Sequence, residues 1–133
     1  MERRNTNQRR AIRMVFEATD RPLSTQEVLD AAQKSKPGMG IATVYRTLKL
    51  LLDSGWLDQV RLPEQPPRYE RAGQPHHHHF YCNSCGRAFV VPGCAELLER
   101  LVPPQFSLDG HDLVLNGRCR DCVAKGARAA ASH

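Results

Sequence analysis

Two C-x-x-C pairs and a run of four histidines are the residues here with chemistry to offer. Cys82-Asn83-Ser84-Cys85 and Cys119-Arg120-Asp121-Cys122 are separated by residues 86 to 118. Each pair makes a knuckle that turns two thiolates to one side. Two knuckles supply the tetrahedral four-sulfur set of a closed structural Zn²⁺ site. Disulfides compete as a reading, but they are foreign to a chain whose start, Met1 to Asn5, has no apolar export core. A thioredoxin-like redox motif needs one such pair beside a βαβ pattern, which this sequence lacks. Cys94, beside an apolar helical stretch, reads as a small buried hydrophobe.

His76-His77-His78-His79 runs directly into Phe80-Tyr81-Cys82. In extended backbone, side chains alternate, so His77 and His79 share one face and His76 and His78 the other. Two imidazoles two strand positions apart chelate one ion, so one strand can contribute to two metal sites. Glu70 and Asp58 are the expected co-ligands on the first face, and Glu96 and His111 on the second. A solvated histidine run without function is the competing reading.

These groups need elements to hold them. The 133 residues suit one compact domain or two very small ones, and a small one needs a staple or a partner subunit. With 25% charged and 41% hydrophobic residues and no apolar run of about 20, the chain is neither a disordered tail nor a membrane span. A soluble, cytoplasmic protein is expected. Nineteen Lys and Arg against fourteen Asp and Glu leave +5, which favours a polyanionic partner.

A basic helix spans Arg3 to Thr19, with Ala11, Ile12, Val15 and Phe16 at helical spacing. Ser24 and Glu27 form a capping box for a second helix through Val28, Leu29 and Ala32. After the turn Lys36 to Gly40, a third helix runs from Ile41 to Ser54 and stops at Gly55 as its C′ residue. Ile41, Val44, Leu48, Leu51 and Leu52 are expected on its apolar face, with Thr43, Arg46 and Thr47 facing away. Two short helices around a glycine-containing turn read as a helix-turn-helix. Trp56 to Val60 and Arg68 to Glu70 read as the two strands of a wing.

That arrangement suits double-stranded DNA. Thr43, Tyr45, Arg46 and Thr47 would enter the major groove, with Arg46 bidentate on guanine. Arg3, Arg4, Arg9, Arg10 and Arg13 would neutralise phosphates. Further on, Arg87 to Val91 reads as a strand and Ala95 to Leu101 as a helix burying Leu97, Leu98 and Leu101. Pro103 and Pro104 stop that helix, and His111 to Gly117 reads as a strand. The strand edge and the leucine-rich helix suit a two-fold dimer. The expected fold is α+β: a winged helix-turn-helix over 1–72 with a hinge near 70–76, a small α/β metal-binding dimerisation domain over 76–123, and a disordered tail over 124–133.

Ala42-Thr43-Val44-Tyr45-Arg46-Thr47-Leu48, the histidines running into Cys82-x-x-Cys85, then His111 and Cys119-x-x-Cys122 together resemble the ferric uptake regulator family over residues 5 to 122. The resemblance implies a homodimeric, metal-dependent transcription factor, normally a repressor. It implies structural zinc on Cys82, Cys85, Cys119 and Cys122, and a regulatory ion, Zn²⁺ or Fe²⁺/Mn²⁺, on Glu70, His77 and His79. It further implies a site on His76, His78, Glu96 and His111, and base reading by Tyr45 and Arg46.

Iron-sensing members add a histidine just before the second helix, where this chain has Arg21-Pro22-Leu23, and neither Arg21 nor Pro22 ligates metal. Asp58 stands where zinc-sensing relatives place an aspartate ligand. Asp58, Glu70, His77 and His79 would give four N/O donors, comfortable for Zn²⁺, whereas Fe²⁺ prefers five or six. The cysteine that zinc sensors often place near Ala72 is missing, so Glu70 would compensate. The resemblance is therefore closest to the zinc uptake regulators, with the iron-responsive and peroxide-sensing branches as alternatives. A zinc hydrolase or deaminase would need H-E-x-x-H, or H-x-E with P-C-x-x-C, and neither occurs.

Overall fold

The computed structural model describes residues 2–93 and 97–126, with side chains except those of 2–5 and 97. The Arg3 and Arg4 side chains, Cys94, Glu96 and the tail from residue 127 lie outside it. The chain divides into an N-terminal unit, 1–73, and a C-terminal unit, 74–133.

In the N-terminal unit, Ile12 and Phe16 lie one helical turn apart and bury the inner face of α1 (Glu2–Glu17). The Ser24–Glu27 capping box starts α2 (Thr25–Ala32), each side chain bonding the other residue's backbone N–H, at 3.1 and 3.0 Å. Glu27 also pairs with Arg21 at 2.8 Å and with the buried Arg68 at 3.7 Å. Burial raises the Glu27 carboxyl, but the Ser24 N–H and the two guanidinium groups outweigh it and hold it below its usual value.

Helix α3 (Ile41–Asp53) buries Val44, Thr47, Leu48 and Leu51. Two expectations are corrected here. Thr47 is buried at 6% exposure, because it lies one turn from both Val44 and Leu51 and so on their seam, not on the outer face. Ile41, in the first turn, is 40% exposed. Strands β1 (Leu57–Val60) and β2 (Arg68–Arg71) form the antiparallel wing, with Asp58 opposite Glu70. Leu23 and Tyr69 exchange backbone hydrogen bonds and tie the start of α2 to the wing. Twelve residues, including Ile12, Phe16, Val28, Met39, Val44, Leu48, Leu57 and Tyr69, make one core.

The C-terminal unit centres on β3 (His77–Cys82), flanked by antiparallel β4 (Ala88–Pro92) and parallel β5 (Val114–Gly117). Gly117 sits where any Cβ would meet the Phe80 ring at 3.3 Å. The helical turn α4 (Leu97–Arg100) ends one residue before Leu101, which is 76% exposed, and the expected start at Ala95 lies outside the described residues. Strand β5 begins at Val114, three residues after His111. Ala124 ends a short helix, α5 (Arg120–Ala124), contrary to the expected tail. Five residues are too few for periodicity to reveal.

Candidate metal centres and nucleic-acid face

Cys82 ends β3, and the chain turns back at once: the Cys82 carbonyl accepts the Gly86 N–H at 2.9 Å, with Gly86 at φ 78°. Only glycine adopts that left-handed conformation without cost. Cys119 caps α5, and Cys122 lies in it. The four cysteines are free thiols whose sulfurs all lie within 4.8 Å of one another. Cys82 Sγ is 3.6 Å from Cys122 Sγ, and Cys85 Sγ is 3.8 Å from Cys119 Sγ. Tetrahedral Zn–S bonds of ~2.3 Å require sulfurs about 3.8 Å apart, so the set fits that ion.

Local electrostatics prepare one of the four. Burial pushes the Cys82 thiol up, but N–H donors from Cys85, Cys119 and Ser84 more than offset it and bring it down to about 6. The Cys85 and Cys119 N–H groups lie 3.4 and 3.3 Å from its sulfur. Cys122, buried and bonded to neighbouring sulfurs, is pushed up to about 12. Cys85 is raised as well, first by burial. A cation among the sulfurs would draw the remaining protons off, because the thiolate is the form that ligates.

The opposite end of the unit gathers His76, His78 and His111. His78 Nε2 is 3.1 Å from Nε2 of His76 and 3.1 Å from Nε2 of His111. A ring nitrogen carries one proton or one lone pair, so His78 Nε2 serves only one of these neighbours by a hydrogen bond. A cation accepting all three lone pairs resolves the conflict. Tetrahedral Zn–N bonds of ~2.0–2.1 Å put nitrogens about 3.4 Å apart, within a few tenths of an ångström of those seen. Burial, then the charges of His76 and His111, lower the His78 pKa and favour the neutral form that ligates.

The sheet explains both sets. Strands β3 and β5 run parallel with His79 beside Val114 and Cys82 beside Gly117. The knuckles follow the two strand ends, and His76 and His111 each stand three residues before that first rung. On the other face of β3, the His77 and His79 rings lie 4.9 Å apart between centroids. His77 Nδ1 is 2.7 Å from the Pro75 carbonyl, which fixes its proton there and leaves Nε2 as the donor to a metal. In the N-terminal unit, buried Glu70 and exposed Asp58 face each other across the wing.

On α3, Tyr45 is 57% exposed, Arg46 is exposed, and Arg46 Nη2 donates to Thr43 Oγ1 at 3.2 Å. Arg9 and Arg10 are exposed on α1. Arg13 is exposed as well, and its guanidinium lies over the Trp56 ring at 4.9 Å, as does that of Arg71 at 4.2 Å. Sequence reading missed this stack. The sole tryptophan among arginines was its only signal.

Residues 1–115 match the profile of the ferric uptake regulator family. A zinc uptake regulation protein of Mycobacterium tuberculosis is 35% identical over 123 residues, spanning 90% of this chain and 94% of that protein. A ferric uptake regulation protein of Bacillus subtilis is 32% identical over 129 residues, spanning 90% and 85%. Among solved structures, a zinc-bound manganese uptake regulator matches with a TM-score of 0.73 at 27% identity, over 84% of this chain and 87% of that one. These relatives are regulators, not enzymes. Among the described residues no helix is long and apolar enough to cross a membrane.

Proposed function

Since this chain belongs to the ferric uptake regulator family of metal-responsive, DNA-binding transcription regulators, we propose that it is a cytoplasmic, homodimeric, zinc-responsive repressor of zinc uptake genes. The observation that carries the choice of metal is the cross-strand pairing of Asp58 with Glu70 on the wing. In this reading the register puts Asp58 on the strand beside Glu70, so that its carboxylate would join Glu70, His77 and His79 in an N₂O₂ set. Position 21 offers no further ligand, because the Arg21 guanidinium, paired with Glu27, has no lone pair to give a metal. The 35% identity to a zinc uptake regulation protein points the same way.

When bound, a divalent cation neutralises the carboxylates and accepts the imidazole lone pairs at one point. The residues do the rest. Asp58 and Glu70 belong to the wing, His77 and His79 to β3, and only five residues, 72 to 76, join β2 to β3. Spanning at most ~3.6 Å per residue, so short a connection would let the two donor pairs converge on one ion. Joint ligation ties the reading unit and the pairing unit into one orientation. Leu101, Phe106, Leu115 and Val123 are exposed on the C-terminal unit and supply apolar area for a second copy. A dimer whose two α3 helices stand one or more DNA turns apart, ~34 Å each, reads both half-sites. Arg46, Tyr45 and Thr43 contact bases, and Arg9 a phosphate.

Operator binding is measured with the cysteine zinc retained, while Zn²⁺, Fe²⁺ or Mn²⁺ is titrated in turn. Zn²⁺ should act at the lowest free concentration, with a gain of about 5- to 150-fold. His77→Ala and His79→Ala should abolish the gain without unfolding the dimer. Activation by Fe²⁺ below the Zn²⁺ threshold would instead make this an iron sensor. Equal operator affinity with and without added metal would refute the regulatory site itself.

A further inference from the structure

Trp56, the only tryptophan, has no part in the metal sets or in the DNA face, yet three elements meet on it. Its N–H donates to the Leu51 carbonyl at 2.9 Å while the Gly55 N–H donates to that of Leu52 at 3.0 Å, with Gly55 at φ 81°. That is a Schellman closure, which fixes Trp56 to the end of α3. Its carbonyl accepts the Ala72 N–H at 3.1 Å, and the next residue, Leu57, pairs with Arg71, so Trp56 is also the last rung of the wing. Its indole meets Phe16 of α1 edge-on at 6.3 Å and carries the guanidinium groups of Arg13 from α1 and Arg71 from β2.

We propose that Trp56 is a positioning residue, the joint through which the position of the wing end next to Glu70 is passed to α3 and to the basic helix α1. The inference rests on the metal-responsive reading above. A guanidinium is attracted to the face of an indole within about 6 Å of its centroid, and Trp provides the strongest such face. Arg71 follows Glu70 directly, so a displacement of the Glu70 backbone moves a cation held on the ring. The ring cannot follow without moving the α3 terminus to which its backbone is closed, or the Arg13 guanidinium on α1. Core filling alone would ask only for apolar bulk. Two cations on one ring ask for its π face.

The test compares Trp56→Phe, Trp56→Leu and Arg71→Met with the parent chain, cysteine zinc retained. Operator affinity is measured with and without added Zn²⁺, alongside Zn²⁺ affinity and melting. Trp56→Phe should keep most of the zinc-induced gain. Trp56→Leu and Arg71→Met should lower that gain about fivefold, with operator affinity before zinc addition unchanged. By reciprocity the enhancement of Zn²⁺ affinity by operator falls by the same factor. If both variants respond to zinc as the parent does, or lose affinity equally with and without zinc, the joint is refuted. Should Trp56→Leu fail to fold, Arg71→Met decides, since it leaves the ring in place. A parent chain without any metal-induced gain refutes the metal-responsive reading itself, and the joint with it.

Discussion

In the N-terminal unit twelve buried residues from Ala11 to Tyr69 form one apolar cluster. In the C-terminal unit the described residues that reach comparable burial are His78, Cys82, Ala88 and Cys122. Three of those four are metal-ligand candidates. Hydrocarbon burial, roughly 1.5–3 kcal/mol for each large side chain, holds the first unit. The second has little of it within the single chain, which leaves metal ligation and a second copy as its expected supports. The two units teach that a small fold can place its candidate ligands where a larger one places its hydrocarbon core.

The sharpest way to break this contrast is to take the metal away. Cys82→Ser, or stripping zinc from the cysteine set, should unfold the C-terminal unit. Metal ligation of this kind carries ~10–16 kcal/mol in small zinc folds. Amide exchange should show lost protection over 77–82, 88–92 and 114–117, with protection in α1 and α3 retained. A Cys82→Ser protein that keeps protection in all three strands would refute the structural zinc site. The converse change, Ile12→Ala, should destabilise the N-terminal unit by ~2–5 kcal/mol through a cavity, and leave the knuckles able to take up zinc.

A smaller effect sharpens the picture of the first unit. Ser24→Ala should cost about 1 kcal/mol by opening the capping box, visible in thermal or urea unfolding. Glu27 then gives a pH signature. Its folded pKa is lowered, so it binds its proton more weakly when folded than when unfolded, and its stabilising contribution is full at neutral pH. That contribution fades as the pH falls through the carboxylate range toward the lowered value. The stability gap between the parent and Glu27→Gln should therefore close on acidification. A gap that stays constant down to pH 3 would show that the ion pairs to Arg21 and Arg68 contribute nothing.

What was legible in the chain followed from local rules. The C-x-x-C spacing and the two-residue alternation of His76 to His79 are short-range facts, and β3 obeys them. Ser24 and Glu27 announced a helix start, and Gly55 a helix end, because caps involve neighbours only. Thr47 was misread because a position between two seams of a helix is decided by what packs on it. Leu101 was misread because the helix stops one residue earlier than its leucines suggest. The Arg13–Trp56–Arg71 stack joins residues far apart in sequence, and no periodicity encodes such a meeting.

The parallel alignment of β3 with β5 has one more consequence. Because both strands point the same way, a single offset decides which histidines stand level at their entrances and which sulfurs meet at their exits. Two coordination chambers thus share one ruler. A one-residue slip of β5 along β3 would misalign both at a stroke, so the register that serves one set also serves the other.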